Sequence, residues 1–552
     1  MRTITAMDSP PPDVATDSAD PADSAADTQL AAGTQVETPP ATPLRPGLAA
    51  ALVFVSSGAV LVLEIVALRL VGPYIGVTLQ TNSAVIGVAL AAIAYGTWIG
   101  GRIADRRDPR PLLPAALVLA GITTAITLPL VRYAGELLRG SAVVGILLLT
   151  MVAIVLPAAL LSAVTPLVIK LQLGDLNRTG EVVGKLSSIG TLGAITATLG
   201  TGFFLVATLP SSVIMMTLAL LLGGSGIALG VYLHRTRPPT AAATTATGGA
   251  APGGRTGIAT RSAVVVIGLL AVGLAVVAPD PCDVETEYHC ATVQADPDRG
   301  SGRLLLLNSA RHSYVDLDDP THLEFAYTKW IGAALDVTAP PGEPLDALHL
   351  GGGGFTMPRY LSATRPGTRN TVYEIDGGLV DLGVRELDVQ PGPDLAVVVG
   401  DARILVTDLP TDSVDVVVGD AFGHLVVPWH LATREMAAEI RRVVRPGGSY
   451  LQNVIDYPPL RFIQAEVATV AAEFPEVALI TRPGASTRLS GSNFVILAAD
   501  RPLPLDEVRA RLTASVGAEF DLLAGDELTD FVAGAQPLTD DYAPVDQLLV
   551  AP

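Results

Sequence analysis

Three carboxylates, Glu374, Asp401 and Asp420, each close a short run of branched apolar residues. A glycine run, Gly351-Gly352-Gly353-Gly354, closes another. Glycines where a strand turns into a helix let the backbone approach a ligand closely, and the first amides of that helix are free to donate to it. An acid about twenty residues further on suits the two hydroxyls of a ribose, and Glu374, with Asp376 beside it, stands there. Asp401 and Asp420 mark the next two strand ends, where ligands of open α/β sheets bind. Taken singly, each acid has the cap of a following helix as its alternative, Asp401 more than the other two. Taken with the glycines, they point to a nucleoside-binding sheet.

The elements that must position these groups are strands at 345–350, 371–375, 395–399, 414–418, 449–455 and 493–498, with a helix at 430–443 that ends in Arg445-Pro446-Gly447-Gly448. Alternation of strand and helix predicts a doubly wound α/β sheet. Three short β patterns precede it, at 288–295, 303–308 and 312–316, with Asp296-Pro297-Asp298-Arg299-Gly300 as a turn, and a helix follows at about 320–337. We therefore expect a small antiparallel β unit and helix over 280–340 and the nucleoside-binding domain over 341–552. His312, Asp316, Asp318, Asp319 and His322 cluster at the seam. Of these, His312, Asp319 and His322 are candidate substrate-binding residues, with solvated turn residues as the alternative.

The amino-terminal half is of another kind. Hydrophobic residues make up 49% of the chain and charged residues only 16%, and apolar runs fall at 48–70, 82–101, 111–131, 141–164, 186–208 and 211–233. Each is long enough to cross a hydrocarbon core, which takes about 20 residues. The expected order is a disordered acidic tail over 1–45, a six-span bundle over 46–235, a flexible Thr/Ala/Gly/Pro linker over 236–261 and a seventh span over 262–279. Gly184, Gly190, Gly193, Gly200 and Gly202 would let helices approach. Glu64 and Arg69, in or at the end of the first span, read either as a polar pathway or as a structural ion pair within the bundle.

Arg102, Arg106, Arg107 and Arg110 follow span two, Lys170, Arg178 and Lys185 follow span four, and Arg235, Arg237, Arg255 and Arg261 follow span six. The loops after spans one and five hold almost no basic residues. The positive-inside rule then puts the amino terminus in the cytoplasm and, with seven spans, the carboxy-terminal domain outside a cell membrane. Cys282 and Cys290 lie just beyond the seventh span. A disulfide there would persist in such a compartment, and two unpaired thiols are the alternative. Zinc ligation is not expected, since His289 is the one further good ligand nearby. A formal charge of −19 argues against a nucleic-acid partner.

With these motifs in this order, the soluble half resembles the spermidine synthases (polyamine aminopropyltransferases), and the whole chain resembles a bacterial subgroup in which that domain follows a membrane bundle. Leu538-Thr539-Asp540-Asp541-Tyr542-Ala543-Pro544 also looks like that subgroup. The resemblance implies an aminopropyltransferase that uses decarboxylated S-adenosylmethionine as co-substrate, or a relative using S-adenosylmethionine, and no metal. Its partners would be the bilayer, a nucleoside and an amine, with homo-oligomerisation left open. By the same resemblance Gly351, Gly352 and Gly353 contact the nucleoside, Glu374 the ribose and Asp401 the adenine side, while Asp420 is the base that deprotonates the attacking amine. The chain departs from the pattern at four places. Gly354 replaces the acid that holds the aminopropyl ammonium, Gly423 replaces a later Asp, His312 replaces a Gln, and His322-Leu323 replaces Tyr-His. A non-enzymatic nucleoside- or polyamine-binding protein and a transporter-like bundle are the alternative readings.

Overall fold

The computed structural model describes residues 44–76, 79–138, 143–173, 178–236, 266–268, 270–308, 310–423, 426–487 and 491–549. Nearly all of the expected acidic tail and linker lies outside them.

The membrane half begins with α1 (Pro46–Ile75), which has Pro at its first position and ends at Gly76 in the left-handed region (φ 78°). It continues with α2 (Leu79–Arg106), α3 (Pro109–Leu138), α4 (Val143–Ser162) and α5 (Val164–Gln172), the last two forming one nearly continuous span. Next come α6 (Thr179–Gly200), prolonged by a π-helical turn (Thr201–Leu205) and α7 (Val206–Thr208), and then α8 (Ser211–Arg235). Among the described residues, six spans are long and apolar enough to cross a membrane. Of the expected seventh, part lies outside the described residues, and the rest is the shorter apolar helix α9 (Val266–Val277). The helices leave large apolar side chains facing outward, among them Leu90, Trp98, Phe203, Phe204 and Leu220. In water such a surface would aggregate; against lipid it costs nothing.

Close approach at glycine holds the bundle together. A side chain at Gly58 would meet the Gly193 carbonyl at 3.0 Å, and one at Gly121 would meet the Ala219 carbonyl at 2.7 Å. Of the five glycines singled out in the sequence, Gly190 and Gly193 face α1 closely, whereas Gly184, Gly200 and Gly202 meet no neighbour.

The soluble half opens with a four-stranded antiparallel sheet, β1 (Val284–Glu285), β2 (Cys290–Ala295), β3 (Gly302–Leu307) and β4 (Ala310–Asp316), in that order. Then follow α10 (Ala326–Thr338), β5 (Asp346–Leu350), α11 (Thr356–Thr364), β6 (Arg369–Glu374), α12 (Gly377–Glu386), β7 (Leu395–Val399), α13 (Ala402–Leu405) and β8 (Val414–Gly419). The chain closes with α14 (Arg434–Val443), β9 (Val444–Asp456), α15 (Arg461–Ala471), β10 (Glu476–Thr481), β11 (Ser492–Ala499), α16 (Leu505–Val516), β12 (Asp521–Ala524), α17 (Gly525–Val532) and α18 (Val545–Leu548).

The large sheet runs β12-β10-β11-β9-β8-β5-β6-β7, parallel from β9 to β7 and antiparallel from β12 to β9. Trp330, Ile331, Val508 and Leu512 cover one face, and Met436, Ile440, Phe462 and Ile463 cover the other. Strand order reverses between β5 and β8, and such a switch point opens a crevice at the carboxyl ends of the two strands.

Where bundle and domain meet, the expectation of an ion pair within the bundle gives way to another arrangement. Arg69, near the end of α1, pairs with Glu285 at 3.0 Å and also donates to the carbonyls of Thr286 and Glu287. The Ser211 amide and hydroxyl, at the start of α8, hold the same Glu285 carboxylate. Arg132 of α3 donates to the Ala278 carbonyl at 2.9 Å and to Asp280 at 2.8 Å. The domain thus sits at the bundle end opposite Arg106 and Arg235. A guanidinium this deep would be costly unpaired, and the loop carbonyls satisfy it.

Candidate active site

Gly351 follows β5 directly and sits at the switch point. Its φ is +92°, and a side chain there would meet the Asp420 carbonyl at 2.6 Å, so both conformation and space demand glycine. Gly353 (φ +49°) turns the chain into α11. Glu374 closes β6 beside this turn. One of its oxygens accepts from the amides of Gly352 (2.7 Å) and Gly353 (3.3 Å), and the other from the amide of Asp376 (2.9 Å). The glycine loop and the candidate ribose acid are therefore built as one piece.

Asp376 is fully buried and caps α12 through the Leu379 amide. Burial pushes its carboxyl up, but hydrogen bonds from His289 (3.0 Å) and Thr286 outweigh that and hold it below the usual range. Thr286 and His289 belong to the loop between Cys282 and Cys290, which are joined as a disulfide with Cα atoms 5.1 Å apart. A continuous path of contacts thus runs from Arg69 in the membrane half through this loop to Asp376 and Glu374.

Asp401 caps α13 by accepting from the Arg403 amide at 2.8 Å, and it lies 3.5 Å from His430. The capping role and a place in the site therefore coexist. A cavity of about 90 Å³ is lined by Gly351, Gly353, Glu374, Asp401, His430 and Asp420, among others.

Asp420 leaves β8 at the switch point, its amide bonded to the Leu350 carbonyl at 2.9 Å. Asn453 of β9 donates to one carboxylate oxygen at 2.8 Å, and the Tyr327 hydroxyl of α10 donates to the other at 3.1 Å. Asn453 is itself oriented by Asn493 at 3.0 Å. Burial pushes the Asp420 carboxyl up to about 6, against the lowering effect of those two bonds. The Tyr327 hydroxyl is pushed well above its ordinary value by burial and by Asp420, so it remains a donor.

A second, roomier cavity of about 460 Å³ opens on the other side of Asp420. Asp420, His312 and Phe422 line both cavities. One carboxylate thus stands between two compartments, as a group transferred from one bound molecule to another requires.

The remaining candidates lie apart. The Asp319 carboxylate is engaged by Thr321, and His322 pairs with Glu324 at 3.2 Å while packing edge-on against Tyr314. Neither residue lines either of the two cavities. Asp316 is held by Arg299 at 2.6 Å. The departure at Gly354 is built into the fold, since a side chain there would meet the Ser313 Cβ at 2.7 Å. Tyr327, Asn453 and His430 carry no motif. The signal that Tyr327 and Asn453 gave in the sequence was their place near the start of a helix and inside a strand, and only the sheet order brings them to Asp420.

No family model matches the chain. Over 136 residues, 24% of its length, it is 28% identical to a polyamine aminopropyltransferase of Vibrio vulnificus (strain CMCP6). The chain spans less than half of that curated relative, 45% of its length. Among solved structures, a probable spermidine synthase from Corynebacterium glutamicum ATCC 13032 is similar at 28% identity and a TM-score of 0.44, over 48% of this chain and 97% of that one. A spermidine synthase from Thermotoga maritima is similar at 13% identity and a TM-score of 0.31, over 48% and 81%. These spermidine synthase-like matches cover only part of the chain, and their names say nothing of a membrane bundle.

Proposed function

We propose that the chain is a membrane-bound aminopropyltransferase-like enzyme that moves a group from a decarboxylated S-adenosylmethionine-type donor to an amine. The observation that carries this reading is the position of Asp420, raised to about 6, between the glycine-lined cleft and the larger cavity. The donor's adenosine would lie against Gly351, Gly352, Gly353, Glu374 and Asp401, with its sulfonium toward Asp420. An acceptor arriving as an ammonium gives a proton to Asp420, and its freed nitrogen lone pair attacks the carbon beside the sulfonium. The C–S bond breaks with its electron pair left on sulfur, releasing neutral methylthioadenosine. Tyr327 and Asn453 orient the base. Removal of water from this crevice strengthens the field of the carboxylate on the positive centre.

We further read the bundle as lying in a cell membrane with the amino terminus cytoplasmic and the soluble domain outside. In support, the domain packs against helix ends remote from the basic clusters of Arg102 to Arg110 and Arg178 to Lys185. Protease protection in intact cells tests the sidedness.

The enzymatic reading is tested with the full chain in detergent, incubated with decarboxylated S-adenosylmethionine and a panel of primary amines. Methylthioadenosine release above an Asp420→Asn control is the expected result. Release equal to that control for every amine would overturn it.

A further inference from the structure

The larger cavity is where the acceptor would lie if the proposed reaction is correct, and its walls bear an unusual set of charges for a diamine. Asp420, Tyr327 and Asn453 form its inner end, while Arg311, Lys329 and Arg482 stand along its walls with Glu324 and Glu519. Among the described residues no carboxylate pairs with any of the three cations. Arg311 lies over the Phe325 ring at 5.3 Å, which leaves the guanidinium edge free to donate. Of the two wall acids, Glu324 is already engaged by His322. A diamine would bring its distal ammonium into this group of cations with little more than Glu519 to offset them. An acceptor with a carboxylate at that end would find donors instead, including guanidinium groups that match carboxylate geometry.

We infer that the acceptor is an amine whose far end carries a carboxylate, an amino-acid-like zwitterion rather than a diamine. Its amine end meets Asp420 and transfers its proton there as set out above, while its carboxylate is held by Arg311, Lys329 and Arg482. This rests on the proposed transferase reading for the reaction, though not for the charge preference itself.

The test uses three acceptors of matched length: 4-aminobutanoate, putrescine and butylamine. Binding to the full chain in detergent is measured by calorimetry with methylthioadenosine present, and turnover is followed as methylthioadenosine release from decarboxylated S-adenosylmethionine. The expected result is binding of 4-aminobutanoate at least tenfold tighter than of either amine, with the advantage lost in K329A/R482A. Arg482→Glu, at an exposed position, should shift preference toward putrescine. Putrescine or butylamine binding as tightly as 4-aminobutanoate overturns the inference. Selective binding of 4-aminobutanoate without turnover supports the charge preference and counts against the transferase reading instead.

Discussion

Asn453 donates to Asp420 at 2.8 Å from the neighbouring strand, and Asn453 is in turn held by Asn493 from the antiparallel half of the sheet. The carboxylate is thereby fixed in direction while burial keeps its proton affinity high.

The first prediction concerns pH. With a carboxyl near 6, the base is protonated and idle below that value and ionised above it. Methylthioadenosine release should rise through about pH 6 to a plateau, and Asp420→Asn should lower the plateau by about 10²–10⁴-fold. A profile with no inflection between pH 5 and 7 would count against Asp420 as base.

Tyr327→Phe removes a hydrogen bond that favours the ionised form of Asp420. The midpoint of that profile should move upward, with protein stability little changed. A merely structural role for Tyr327 would leave the midpoint where it is.

Glu466 is buried on α15, where burial pushes it up to about 7 against a single bond from Gln452 at 2.7 Å. Its other oxygen and the Gln452 carbonyl oxygen have no partner. A carboxyl raised in the folded state gives stability that is present below its unfolded value near 4.5 and lost as pH rises through about 7. Glu466→Gln should therefore raise the Tm at pH 8 and change it little at pH 4, since its amide supplies the missing donor. Equal Tm shifts at both pH values would show that Glu466 does not ionise in the fold.

Gly354→Ala should destabilise the soluble domain by about 1–3 kcal/mol, because the new methyl overlaps Ser313. Adding Ser313→Gly should restore most of the loss, as read by thermal unfolding. Additive losses would mean that the crowding lies elsewhere.

Arg69→Ala should cost about 1–3 kcal/mol by leaving Glu285 and two loop carbonyls without their donor. Arg69→Lys should not rescue it, since one ammonium lacks the planar fork that spans three acceptors. Full recovery by Lys would reduce the contact to simple charge.

The parallel strands were legible because each is a compact run of branched residues ended by Gly or an acid. The strand 395–399 has the same bounds in both readings. The antiparallel extension was not. β10 and β12 end in no glycine run or acid that would mark them, and they join the sheet by pairing, β10 with β11 and β12 with β10. β9 begins at Val444 and runs through Pro446 and Gly447, residues that read locally as a turn. The ladder leaves these residues in a bulge, with Val444 paired to Val414 and Ser449 to Val416. At the site, the glycines and acids announced themselves by position at strand ends, whereas Tyr327 and His430 reach it from elements with no chemical signature. Arg69 was conspicuous as a charge in an apolar helix, but its partners lie more than 200 residues away and no local pattern could name them.

Glu285 is gripped by the first of the six spans through Arg69 and by the last through Ser211. A single side chain outside the bilayer half therefore latches the two ends of the helical series to each other. A chain terminated before Glu285 would keep every span yet leave that seam unlatched, so part of what orders the bundle is supplied by residues that follow it.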